Sequence, residues 1–116
     1  GDALTEREIV LTTAMFVVAG VESLSSFMSI FAMNMAQMPD VQDALRQNPD
    51  LMKPAIEESL RYNTSAQRFK RQLTRDVELH GQHMRKGDHV VLAYGSANRD
   101  ERQFPEADIY DLSRNP

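Results

Sequence analysis

An acid, a hydroxyl and a glycine stand within one helical turn of the stretch "FVVAGVESLSS", as Gly20, Glu22 and Ser23. Glu22 is the only charged residue between Ile9 and Met38. A charge in the middle of an apolar helix is costly unless it is paired. Glu22 therefore reads in one of two ways: as a carboxylate satisfied by a neighbouring Ser or backbone group, or as a functional acid. Gly20 costs a helix about 1 kcal/mol against Ala, which points to a kink or to a ligand that approaches the backbone. Ser23 adds a hydroxyl beside the acid. The three together suit a small polar ligand with a proton path at its side.

A second pair lies downstream. Glu58 and Arg61 in "EESLR" are spaced i, i+3 and share one helix face. By spacing alone they form an exposed pair worth about 0.5 kcal/mol or less. The three histidines, His80, His83 and His89, fall in segments of strand character. His80 and His83 would point to opposite faces with a turn between them, which argues against a metal site. Met28, Met33, Met35 and Met38 read as adaptable core filling rather than a redox site. The chain has no cysteine. Disulfides, a thiolate nucleophile and thiolate metal ligation are thereby removed from these residues together.

These groups must be held by a small body. With 116 residues, 41% hydrophobic and 26% charged, the composition is that of an ordered soluble domain near the lower size limit for a core. A net charge of −4, without a long run of Lys or Arg, speaks against a nucleic-acid partner. No secretory leader pattern opens the chain. It begins at Gly1 rather than Met, which suggests a processed or excised piece. Ile9 to Met38 is long enough to cross a bilayer, for which about 20 residues suffice. Glu22 near its centre would cost about 3 kcal/mol, and neither an aromatic belt nor a basic flank marks its ends. No membrane is expected.

The element order is long helix, helical pair, small sheet, irregular tail. Thr5 and Glu8 form a capping-box pattern, and no proline follows until Pro39. Residues 5–38 are thus predicted as one helix of about 50 Å, apolar on nearly every face, as a central helix of something larger would be. Residues 39–62 give two shorter helices, the second capped by Asp50. Residues 66–95 alternate in short segments, with turns at His80-Gly81 and Lys86-Gly87-Asp88, and predict three or four antiparallel strands. Residues 96–116 are loop-like with one helical turn. The expected class is mainly α with a small antiparallel β-sheet.

In that order, "AGVES", "EESLR", "R-x-L-T-x-D-V-E-L-x-G-x-x-x-x-K-G-D" and "SANRDERQFPEADIYDLSR" resemble the second half of a bacterial cytochrome P-450 over essentially the whole chain. The resemblance implies a partial domain over 1–116 with residues 5–38 as the helix crossing the distal face of a haem. It implies Ala19 and Gly20 over the porphyrin, and Glu22 and Ser23 as the acid–alcohol pair that relays protons toward dioxygen. Ser23 stands where the family usually has Thr, with the hydroxyl retained. Glu58, Arg61 and Arg114 would form a structural triad behind the haem, and Arg71 would bind a haem propionate. Ser65 replaces a common Pro. Met15, Phe16 and Leu92 would line part of the substrate pocket.

The resemblance further implies a cytoplasmic monooxygenase that takes electrons from a ferredoxin-like donor. The Gly-rich loop and the cysteine that ligates the iron are not among these residues, and thiolate ligation supports O–O cleavage. The chain alone is therefore expected neither to bind haem natively nor to catalyse monooxygenation. An alternative from another class is an assembly module that covers the apolar faces of its long helix by self-association into a homo-oligomer.

Overall fold

The computed structural model describes residues 3–114; the ends of the 1–116 span lie outside the described residues. The long helix runs over Glu6–Gln37, 32 residues. Thr5 caps it with both arms of the capping box: the Glu8 amide donates to the Thr5 hydroxyl at 3.3 Å, and the Thr5 amide donates to the Glu8 carboxylate at 2.8 Å. The Thr5 amide, and after it the Thr5 hydroxyl donating at 2.7 Å, hold the Glu8 carboxyl below its ordinary value. The helix ends at Met38, whose φ of −125° and ψ of 75° fit a residue preceding Pro39, since the proline ring disfavours the α region before it.

The helix is not uniform. α1 (Glu6–Val17) and α2 (Ser23–Gln37) are joined by a π-helical turn over Val18–Glu22. The wider turn falls on Gly20, and the Ser23 hydroxyl donates back to the Ala19 carbonyl. Ser25 donates to the Glu22 carbonyl at 3.2 Å and Ser29 to the Ser25 carbonyl at 2.9 Å. Such back-bonding loosens the helical ladder, and single π turns recur at functional sites.

α3 (Pro39–Gln47) starts on its proline. A 3₁₀ turn at Pro49–Leu51 leads into α4 (Met52–Tyr62). Asn48, not Asp50, caps this stretch: its side chain accepts from the Asp50 amide at 3.2 Å. The cap moves back because Pro49 occupies the first helical position, which leaves the preceding residue as cap. Four strands follow, β1 (Phe69–Gln72), β2 (Val77–Leu79), β3 (Gln82–Met84) and β4 (His89–Leu92). They divide into two antiparallel ladders rather than one sheet. β1 pairs with β4 in the register Phe69↔Leu92 to Gln72↔His89, while β2 pairs with β3 around the turn. At that turn His80 (φ 50°) and Gly81 (φ 75°) both take left-handed backbone, as the tight primed hairpin turns require. α5 (Tyr94–Ala97) is one short helical turn that begins within the 66–95 segment expected as strands and runs into the tail.

The buried residues are few and mostly polar: Ala55 and Ala107 beside Asn34, Glu58, Ser59 and Arg61. α2 docks on α4 there, with the Asn63 amide donating to the Asn34 side-chain oxygen at 2.8 Å. Met28 and Met33, expected as core filling, are 55% and 45% exposed, because no described element lies over that part of the helix. Phe16, Val21 and Leu24 are more than 60% exposed. The accessible surface is 9191 Å², where a compact monomer of this mass shows about 6,400 Å². The radius of gyration, 19.1 Å, likewise exceeds the compact value of about 13 Å. Much of the apolar surface of the long helix is thus left uncovered.

In the tail, the Arg102 guanidinium and amide both bond the Asp100 carboxylate, at 2.6–3.0 Å. They hold its pKa down from 3.8 to about 2, with the Arg102 side chain the largest cause. A depressed folded value means that this contribution to stability is present above the ordinary pKa and is lost as pH falls through about 2. Carboxyl NMR titration should place Asp100 near that value, and Arg102→Ala should return it toward 3.8.

Candidate functional site

Two constellations emerge, one ionic and buried, one open and mostly apolar. The ionic one centres on α4. Helical spacing puts Glu58 and Arg61 on one face, and the tail 98–114 folds over that face. The pair is consequently buried, with side chains 0% and 3% exposed, not at the surface as spacing alone suggested. The guanidinium is bidentate on the carboxylate, Nε to Oε2 at 2.8 Å and Nη2 to Oε1 at 2.7 Å. Nη1 donates to the Asn98 and Ala107 carbonyls, both at 2.8 Å, and Nη2 also donates to Ile109 at 3.1 Å. All five N–H donors of Arg61 are thus used.

Glu58 is equally engaged: its Oε1 also accepts from the Asp111 amide at 2.9 Å and from Arg114 Nε at 3.4 Å. The carboxylate bonds raise the Arg61 pKa further, against the opposing effect of burial. Arg114 also donates to the Pro105 carbonyl at 3.0 Å and the Glu106 carbonyl at 3.3 Å. Glu58, Arg61 and Arg114 therefore meet in one knot that fixes the tail against α4.

A hydroxyl chain lies beside the knot. Tyr110 donates to the Ala55 carbonyl at 2.7 Å, and its oxygen sits 2.7 Å from the Ser59 hydroxyl. Partial burial raises the Tyr110 pKa. Tyr110→Phe leaves the buried Ser59 hydroxyl without this partner and should cost about 1–2 kcal/mol, read as a lower urea midpoint at unchanged slope. Arg99 closes the other side, donating to the Tyr62 carbonyl, pairing with Asp108 and lying 4.2 Å over the Tyr62 ring.

The second constellation is a cleft of about 860 Å³ between the long helix and the segment 65–69. Ala14, Met15, Val18, Ala19, Glu22, Ser23 and Ser26 form the helix wall, and Ser65 to Phe69 form the other. The π turn lies at the middle of the helix wall, so Ala19, Glu22 and Ser23 face one space. Glu22 is exposed there, not enclosed; its wall is open, so the carboxylate stays hydrated and the cost assumed for a buried charge does not arise. Gly20 does not line the cleft, and an added Cβ would meet nothing within 4 Å. Met15 lines it, whereas Phe16 and Leu92 do not. Arg71 sits on exposed β1, with Nη1 donating to the Lys70 carbonyl at 3.0 Å, outside the lining.

Sequence reasoning missed the second wall. Its only singled-out residue was Ser65, while Gln67 and Arg68 carry the polar groups nearest β1. Gly95 fixes that wall: its amide donates to the Gln67 carbonyl at 3.1 Å. A Cβ on Gly95 would stand 2.4 Å from the Gln67 side-chain oxygen. Among the described residues no cluster of His, Cys, Asp or Glu can hold a metal ion.

The family description "Cytochrome P450" matches residues 1–115. The chain is 36% identical over 115 residues to the biotin biosynthesis cytochrome P450 of Bacillus subtilis, covering 99% of this chain and 29% of that protein. It is 36% identical over 114 residues to linalool 8-monooxygenase of Pseudomonas putida, covering 98% and 28%. The crystal structure of P450BioI in complex with hexadec-9Z-enoic acid ligated acyl carrier protein superposes with a TM-score of 0.93 and 37% identity, covering 100% of this chain and 30% of that one. CYP109E1 from Bacillus megaterium with testosterone gives 0.92 and 31%, covering 100% and 32%. The chain thus spans under a third of the length of these relatives.

Proposed function

The chain belongs to the cytochrome P450 family, and from that premise we propose that it forms, as one partial domain, the distal wall and ion-pair frame of a cytoplasmic haem-thiolate monooxygenase that hydroxylates a small organic substrate. The observation that carries the proposal is the cleft that gathers Ala19, Glu22 and Ser23 at the π turn. Haem held by a cysteine thiolate supplies the dioxygen chemistry of such an enzyme. The residues of the cleft fit one face of that group: Ala19 is small, Met15 and Val18 are apolar, and a carboxylate and a hydroxyl flank them. Arg71, on β1 beside this wall, is the proposed partner of a haem propionate.

Glu22 holds and gives up a proton toward the cleft, and Ser23 passes it on by rotating away from the Ala19 carbonyl that its hydroxyl now bonds. Gly20 lies in the same π turn but off the lining, so its expected place over the porphyrin is carried by the family resemblance and not by this cleft. Glu58, Arg61 and Arg114 hold the tail and touch no reacting atom. Electrons would come from a ferredoxin-like protein.

These 116 residues contain no cysteine, and none of His80, His83 and His89 lines the cleft. Taken by themselves they would offer one wall for the group without the thiolate that would hold it, and should not catalyse. Titrating the 116-residue polypeptide with haemin, then reducing it under carbon monoxide, should give no thiolate-type Soret band. The haem-loaded protein that carries this segment at full length should give one, and its failure to do so would overturn the assignment. In isolation, the uncovered helix favours self-association. Light scattering should show an oligomer, and a stable monomer at high concentration sinks that second reading.

A further inference from the structure

We propose that Arg68 is the anion-binding residue of the cleft, and that the substrate shares this cleft with the haem and presents a carboxylate at the end of an apolar body; this rests on the monooxygenase function proposed above. The helix wall from Ala14 to Ala19 is apolar, as is Phe69 opposite. Several polar groups of the cleft are already engaged: the Ser23 hydroxyl donates to the Ala19 carbonyl, and the Gln67 side-chain amide donates to the Thr64 carbonyl at 2.5 Å. Arg68 differs. Among the described residues its guanidinium has no carboxylate within ion-pair distance and no hydrogen-bond acceptor, although it lines the cleft.

The residue is also held in place. On one side the Gln67 carbonyl accepts from the Gly95 amide at 3.1 Å; on the other the Phe69 ring packs 5.9 Å from the Tyr94 ring, at the start of β1. A planar fork of donors on an anchored backbone suits a carboxylate, which it can bind with two parallel bonds. The facing wall carries no cation that would compete with Arg68, and the apolar body lies along Met15, Val18 and Ala19. One end of the substrate is thereby fixed while its chain passes the π turn.

Decanoate and decan-1-ol share an apolar chain and differ in the head group. In the haem-loaded full-length protein, calorimetry and the optical shift should show decanoate binding on the order of tenfold or more tighter than the alcohol, as a charge-assisted pair implies. Arg68→Gln should remove that preference while leaving the alcohol unchanged, and Arg68→Lys should restore part of it. Equal binding of the two probes, or equal weakening of both by Arg68→Gln, overturns the proposal. Haem and its dimethyl ester separate the other source of carboxylate. If Arg68→Gln speeds loss of haem but not of the ester, and spares decanoate, the arginine serves the cofactor and the proposal fails. A missing thiolate-type Soret band sinks the functional assignment instead. Calorimetry on the haem-free protein then still reads the acid–alcohol preference.

Discussion

Arg61→Ala should cost on the order of 3–5 kcal/mol, the penalty for stranding one member of a buried ion pair, against the 5–15 kcal/mol by which a domain is usually stable. The substitution leaves Glu58 buried with its charge and deprives the carbonyls of Asn98, Ala107 and Ile109 of their donor. Arg114 cannot take over, since it reaches Glu58 at only 3.4 Å and is otherwise bound to the Pro105 and Glu106 carbonyls. The tail should therefore come away from α4 before the helix melts. Native-state hydrogen exchange reads this directly: the Asp111 amide, which donates to Glu58, should lose its protection. Arg61→Lys keeps the charge but not the fork and should fall between the two. Wild-type protection at Asp111 in the alanine variant would show that the knot does not hold the tail.

How far was this arrangement legible in the residues? The helices were, because capping, proline positions and apolar periodicity are local. Thr5 with Glu8 and the stop at Met38 before Pro39 mark the long helix from both ends. The π turn was legible only as a hint in Gly20, since no residue type marks where a single wider turn enters a helix. Asp50 misled because Asn48 and Asp50 are equally good caps by type, and Pro49 decided between them. The split into two ladders depends on pairing across the chain, which alternation cannot specify.

The two constellations differ in the same way. An i, i+3 pair is visible in the sequence, but its burial is not. That depends on the tail closing over α4 through backbone carbonyls that carry no residue-type signal. The resemblance linked Arg114 to the pair; spacing alone could not, with Glu58 and Arg114 separated by 56 positions. In the cleft, the helix wall announced itself through an isolated acid. The opposite wall, Ser65 to Phe69, has ordinary loop composition and became visible only once the fold set it against the helix.

Glu22→Gln should lower turnover of the haem-loaded full-length enzyme by about 10²–10⁴-fold, the usual contribution of a positioned proton donor, while leaving haem retention and substrate affinity unchanged. The reason is positional. Glu22 ends the π turn and lines the cleft, and the next residue, Ser23, brings a hydroxyl to the same cleft. Gln keeps the volume and the helix but cannot give up a proton near neutral pH. Ser23→Ala tests the second station and should also slow turnover, with a smaller loss if water takes over the hydroxyl's place. If the two act in series, the double variant should lose far less than the product of the single effects. A solvent isotope effect that changes in Glu22→Gln would tie the loss to proton movement, which a merely structural role would not alter. Undiminished turnover in Glu22→Gln would leave the residue a solvated carboxylate on an exposed helix face.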